Sequence, residues 1–174
     1  MLRTNQTLDL SPIGAKFIIR KTSADTQGRS FEMEWELEPD TLGPPVHIHP
    51  DAIETYSILD GEMEVFIKNK WLTARKGEKI IVEKGIPHTY KNLTNHVIRV
   101  YNTHEPAMLF EHFFEGFGKV CDSGVIRNRK ASLPAMISMS VLWTKYSKEI
   151  QSVKPPFFMM KILGWIGRKK GIRF

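Results

Sequence analysis

Residues 31–38 read Phe31-Glu-Met-Glu-Trp-Glu-Leu-Glu38, four large apolar side chains alternating without a break with four glutamates. A helix would mix the two kinds on every face. An extended strand sends Phe31, Met33, Trp35 and Leu37 to one side and the glutamates to the other, so one face is buried and one meets water. The same reading extends along the chain. Ile13 to Arg20 and Ile53 to Leu59 are strands by their β-branched and aromatic content. Met63, Val65 and Ile67 alternate with Glu62 and Glu64, and Trp71 to Arg75, Lys79 to Glu83, His88 to Asn92 and Val97 to Thr103 follow. Asp60-Gly61 and Asn69-Lys70 are turn pairs that make hairpins of their neighbours. Many short strands at close spacing predict a mainly β fold, a closed antiparallel barrel or double-sheet jelly roll.

The period changes after Glu105-Pro106. Met108, Leu109, Phe113, Phe114, Phe117 and Val120 recur at helical spacing within 107–120. A polar loop is expected through Asp122-Ser-Gly124 and Arg127-Asn-Arg-Lys130. Ser132-Leu-Pro134 is a helix start, since proline is tolerated in a first turn. Helices are expected over 136–150 and, beyond the break at Lys154-Pro155-Pro156, over 157–170. The expected organisation is a barrel over 1–105 and a helical extension over 106–174, packed on the barrel or on a partner subunit. No internal repeat argues for a second barrel.

A chain of 174 residues is long enough for one real core. Its single cysteine, Cys121, excludes an internal disulfide and reads as a small buried neutral thiol, fitting a reducing compartment. The first ten residues contain no apolar signal-peptide core, and no stretch supplies the roughly 18 apolar residues of a spanning helix, so a cytoplasmic location is expected. Charge is unevenly placed. Lys154, Lys161, Arg168, Lys169, Lys170 and Arg173 are six of the 25 basic residues, and no acid lies among them; the rest of the chain balances 19 bases against 19 acids. The helix over 157–170 is apolar on nearly every side and therefore expected to be buried on more than one face. Contact with an anionic membrane surface through 154–174 is the alternative use of that segment. Nucleic acid is not expected as a partner, because the basic run is short and no base-reading motif accompanies it.

Chemistry is concentrated in two short segments. The first runs Gly43-x3-His47-x-His49-x4-Glu54-x6-Gly61, and the second Gly77-x7-Gly85-x2-His88-x3-Asn92. His47 and His49 flank one residue, so on a strand both leave the same face. Three imidazoles and a carboxylate form a mixed nitrogen and oxygen set, suited to a first-row divalent ion rather than calcium or magnesium. His96, His104 and His112 are expected at the surface or in capping positions, Gly61 and Gly85 in turns, and Asn92 tying backbone.

The two segments resemble the paired motifs of the cupin superfamily. They depart from its pattern in having three residues between Gly43 and His47 and in placing Glu83 where a proline is common. The resemblance is close over about 40–104 and looser in the strands before it. It implies a double-stranded β-helix, or jelly-roll, barrel followed here by two or three α-helices. It also implies a metal held by His47, His49, Glu54 and His88, which iron, manganese, nickel, cobalt or zinc would satisfy. An octahedral ion with four protein ligands keeps two positions for substrate, or for substrate with dioxygen. Met33, Trp35, Tyr56, Ile58, Met63, Val65 and Tyr90 are expected to face the interior, with Tyr56 and Tyr90 orienting the site. The implied activity is that of a metal-dependent enzyme on a small oxygen-bearing molecule in the barrel, resembling quercetin dioxygenase-like cupins, with isomerase chemistry compatible. A non-catalytic small-molecule-binding or sensing cupin is the alternative, and a homodimer is expected.

Overall fold

The computed structural model describes residues 1–127, 129–130 and 132–174. Asn128, in the loop expected to be polar, lies outside the described residues. Eleven strands come first: β1 (Thr7–Leu10), β2 (Ala15–Lys21), β3 (Phe31–Leu37), β4 (Thr41–Leu42), β5 (His47–Ile48), β6 (Ile53–Asp60), β7 (Glu62–Ile67), β8 (Lys70–Arg75), β9 (Lys79–Val82), β10 (His88–Asn92) and β11 (Ile98–Glu105). Then follow α1 (Phe110–Asp122), α2 (Leu133–Lys145), a short β12 (Gln151–Ser152) and α3 (Phe157–Lys169).

The strands form two antiparallel sheets, as the short-strand pattern predicts. One runs β1-β2-β3-β11-β6-β9 and the other β12-β5-β10-β7-β8, with β4 also paired to β10. The alternating strand β3 lies between β2 and β11, and turns Phe31, Met33, Trp35 and Leu37 inward, all at most 2% exposed. Trp35 ties the sheets together, stacking on Phe17 at 4.7 Å and meeting Tyr90 of the opposite sheet at 5.2 Å. Side chains of this size each contribute roughly 2–3 kcal/mol by leaving water. All seven residues expected to face the interior are buried. The outer face of β3 is an ion-pair ladder: Glu32 with Lys21, Glu34 with Arg20 and Arg99, and Glu36 with Lys16. Glu34 departs from the expectation of a wet face. Two guanidiniums cover it, leaving 6% exposed.

Turn geometry follows the local chemistry. Gly61 takes φ 79° at its hairpin, and Gly85 takes φ 71° before β10. The β7–β8 turn uses Lys68 and Asn69, both with positive φ (51° and 63°), one residue earlier than the expected Asn69-Lys70 pair. Two positive φ values mark a type I′ turn, whose twist matches that of paired strands. Asn92 ties backbone as expected. Its amide donates to the carbonyls of Leu37, Glu38 and His96, each at 3.0 Å, and its oxygen accepts from Thr94.

The helices close one side of this frame. α1 lays Phe110, Phe113 and Phe114 against the barrel, with Phe114 on Phe17 at 5.9 Å and on Phe31 at 5.8 Å. Cys121, on the same helix, is 2% exposed, and burial pushes its thiol up to about 12. The Ser132 hydroxyl accepts from the amide of Ala135, capping α2 as its sequence predicts. α2 ends at Lys145, five residues before its expected end, and the chain turns to lay β12 beside β5. α3 also differs from expectation. It buries one face, through Met160, Gly164 and Gly167, rather than several. No described helix is long and apolar enough to cross a membrane.

Candidate metal centre

His47 and His88 are cross-strand partners on β5 and β10, so register alone places their side chains together. His49 follows β5, and Glu54 is the second residue of β6 in the opposite sheet. Strand alternation turns Glu54, Tyr56 and Ile58 inward together. The result is a cluster in which one donor atom from each of His47, His49, Glu54 and His88 lies within 4.8 Å of the others, every residue at most 3% exposed.

Each imidazole is oriented by a backbone carbonyl. His47 Nδ1 meets the carbonyl of Pro45 at 3.0 Å, His88 Nδ1 that of Ile86 at 2.8 Å, and His49 Nδ1 that of Glu149 at 2.6 Å. A carbonyl only accepts, so each Nδ1 carries a hydrogen and the Nε2 lone pair is the one left free. Two of these Nε2 atoms face the same oxygen, Glu54 Oε2, at 3.1 Å from His49 and 2.8 Å from His88. Where both rings are neutral, lone pair opposes lone pair in a dry interior, and a metal ion between them, or a proton on either ring, relieves it. Both the donor set and its orientation therefore fit a bound divalent metal, and the cluster could hold one. Backbone carbonyls that fix the far nitrogen of ligating histidines are the usual support of such a site.

Electrostatics favour deprotonated Glu54 and neutral His47. Burial raises the Glu54 carboxyl, but His104, His49 and His88 outweigh it and hold the group well below its usual range. Burial, reinforced by His88 and His49, keeps the imidazole of His47 neutral well below its usual value. Around Glu54 a further shell donates. The Tyr56 hydroxyl reaches Oε2 at 2.6 Å and the Asn102 amide reaches Oε1 at 2.8 Å. Burial and the Glu54 charge push the Tyr56 phenol far above its usual value, so it stays a donor. Tyr90 packs on Trp35 and Tyr56, and among the described residues it makes no hydrogen bond to the four.

His104 corrects the sequence reading. It was expected at the surface or in a cap; it is 1% exposed, with Nε2 3.4 Å from Glu54 Oε1, and burial lowers it to about 3. Its Nδ1 has no hydrogen-bond partner among the described residues. The clue was phase. On β11, Ile98, Val100, Asn102 and His104 share the inward face, and the register sets His104 opposite Glu54. His96 is exposed and His112 half-buried, nearer to expectation.

The helical extension supplies the outer wall, which sequence patterns did not reveal. Trp143 of α2 lies edge-on to His47 at 5.8 Å. Phe110 of α1 meets His49 at 5.1 Å and His104 at 4.1 Å. Ser152 of β12 pairs with His47 itself. Two open surface cavities of 260 and 490 Å³ lie around Arg29 and Glu105, and none of the four candidate ligands lines either.

Comparison with known proteins agrees with the fold. A family model described as "Cupin domain" matches residues 33–104. The structure of KdgF from Halomonas sp. is 15% identical, covers 58% of this chain and 86% of its own, and superposes with TM-score 0.51. For an RmlC-like cupin from Shewanella frigidimarina the figures are 15%, 60%, 86% and 0.51. For a predicted oxalate decarboxylase from Thermotoga maritima they are 17%, 53%, 80% and 0.50. Likeness at these identities is one of fold. No curated protein matches the chain. With the family match lying on the strands that gather the four residues, residues 33–104 match the cupin domain and the barrel has the cupin fold.

Proposed function

We propose that this chain is a metal-dependent cupin enzyme that binds one divalent transition ion through His47, His49, Glu54 and His88 and acts on a small oxygen-bearing organic molecule, in the manner of quercetin dioxygenase-like cupins. One observation carries the reading: three imidazoles, each with Nδ1 tied to a carbonyl, gather with one buried carboxylate within 4.8 Å, and two of them turn Nε2 to its Oε2. When bound, such an ion would supply Lewis-acid polarisation of an oxygen or dioxygen chemistry. The protein's part is to keep Glu54 and His47 deprotonated, to hold Glu54 between Tyr56 and Asn102, and to exclude water with Phe110 and Trp143. Residues 1–105 form the functional barrel in this reading, and 106–174 serve as an extension that completes its wall.

A second reading is favoured by the closure itself. Phe110 of α1, Trp143 of α2 and the Glu149 carbonyl before β12 all contact the cluster, so a ligand entering past them would couple binding to the position of the extension. That coupling suits a sensing cupin without turnover. Anaerobic reconstitution with iron, manganese, nickel, cobalt or zinc, followed by oxygen-uptake and product assays on phenols and diketones, separates the two. Turnover that depends on the metal and is lost in Glu54→Ala supports the enzyme. Tight metal binding without turnover of any compound, together with ligand-induced exposure of α1 and α2 to hydrogen exchange, replaces it with the sensor.

A further inference from the structure

α3 is fixed to α2 by small residues. A Cβ on Gly167 would stand 2.4 Å from Val141 Cγ2, and one on Gly164 would stand 2.8 Å from the carbonyl of Ser140. This close seam determines which face of α3 points away. That face carries Phe158 at 63% exposure, Met159 at 44%, Ile162 at 55% and Trp165 at 58%, at the spacing of one helical stripe. Four large apolar side chains side by side in water are not ordinary surface.

The charges around the stripe indicate what covers it. Lys154, Lys161, Arg168, Lys169, Lys170 and Arg173 are all exposed, and no acidic residue follows Glu149. Lys169 sits 5.9 Å over the Trp165 ring and Lys161 5.4 Å over that of Phe157, so cationic heads and aromatic rings share one surface. A second copy fits poorly. Two such strips repel, and the glutamates of β3 that might attract one are already paired with Lys16, Arg20, Lys21 and Arg99. At 13 residues the helix is too short to span a bilayer. Tryptophan at the interface, an apolar stripe at acyl depth and long basic side chains reaching phosphate are what a helix lying in a membrane surface requires.

We propose that α3 docks the protein on anionic lipid bilayers, with Phe158, Ile162 and Trp165 inserted and the acid-free basic residues on the headgroups. The inference stands apart from the metal chemistry, because no residue of the stripe touches the cluster. The test is co-sedimentation of the full chain with phosphatidylcholine vesicles, plain or carrying about one third phosphatidylserine. Binding is expected only to the anionic vesicles, falling as salt rises. Phe158→Ala/Trp165→Ala and Lys169→Glu/Lys170→Glu should each weaken it at least about tenfold, with unchanged circular dichroism, since all four positions are exposed. No preference for anionic over plain vesicles overturns the proposal, as does undiminished binding by both variants. A wild-type dimer in light scattering that becomes monomeric in Phe158→Ala/Trp165→Ala assigns the stripe to a second copy and also overturns it.

Discussion

Glu54 is the residue on which the centre turns. Its carboxylate meets the nitrogens of His49, His88 and His104, the Tyr56 hydroxyl and the Asn102 amide. If Tyr56 holds this carboxylate for a metal, Tyr56→Phe should leave the barrel folded and lower metal affinity by about 10-fold, read by competition with a chromogenic chelator. Asn92 plays a purely structural part nearby, and Asn92→Ala strands buried carbonyls, so a loss of about 2–3 kcal/mol in urea unfolding is expected. The four candidate ligands were legible because each lies in a motif of fixed spacing. His104 and Asn102 were not, since a polar residue at a strand end looks wet until the register of β11 on β6 is known. Glu34 was misread for a related reason: alternation assigns a face, but only the neighbouring strands show that Arg20 and Arg99 cover it.

At the scale of elements, the long strands followed from period two and the short ones did not. β3, β6, β7 and β10 fall where their alternation or β-branched content predicts. β4, β5 and β12 are two residues each, too short to show a period, and are defined by pairing with β10 or β5. The expected reach of α2 to Ile150 fails because the helix ends at Lys145, and beyond it the Glu149 carbonyl accepts from His49 Nδ1. The α2–α3 seam gives an element-level prediction. Gly167→Ala puts a methyl group against Val141 and Ile137, costing about 1–3 kcal/mol. Faster hydrogen exchange should be confined to α2 and α3, with the amides of β3 and β11 protected as before.

The whole molecule is a near-neutral barrel with a cationic helical end, and the two are joined at the candidate centre rather than at a linker. Truncation after Lys145 removes the carbonyl that orients His49 and the strand beside His47, and should weaken metal binding about 10–100-fold. Acid stability is also a property of the assembled sheets. Burial raises the Glu34 carboxyl, but Arg99 and Arg20 more than offset this and lower it below 4.5. Its contribution is therefore present above pH 4.5 and lost as pH falls through the lowered value of the folded state. Urea midpoints on either side should show that loss, and Glu34→Gln should be less stable at neutral pH with a smaller further drop in acid. The most direct test of the account as a whole is elemental analysis of the full chain after metal loading and desalting. Wild type is predicted to retain close to one equivalent of a divalent transition metal, and His47→Ala/His88→Ala nearly none while keeping its β circular dichroism. Full metal occupancy in that folded double variant would contradict the assignment.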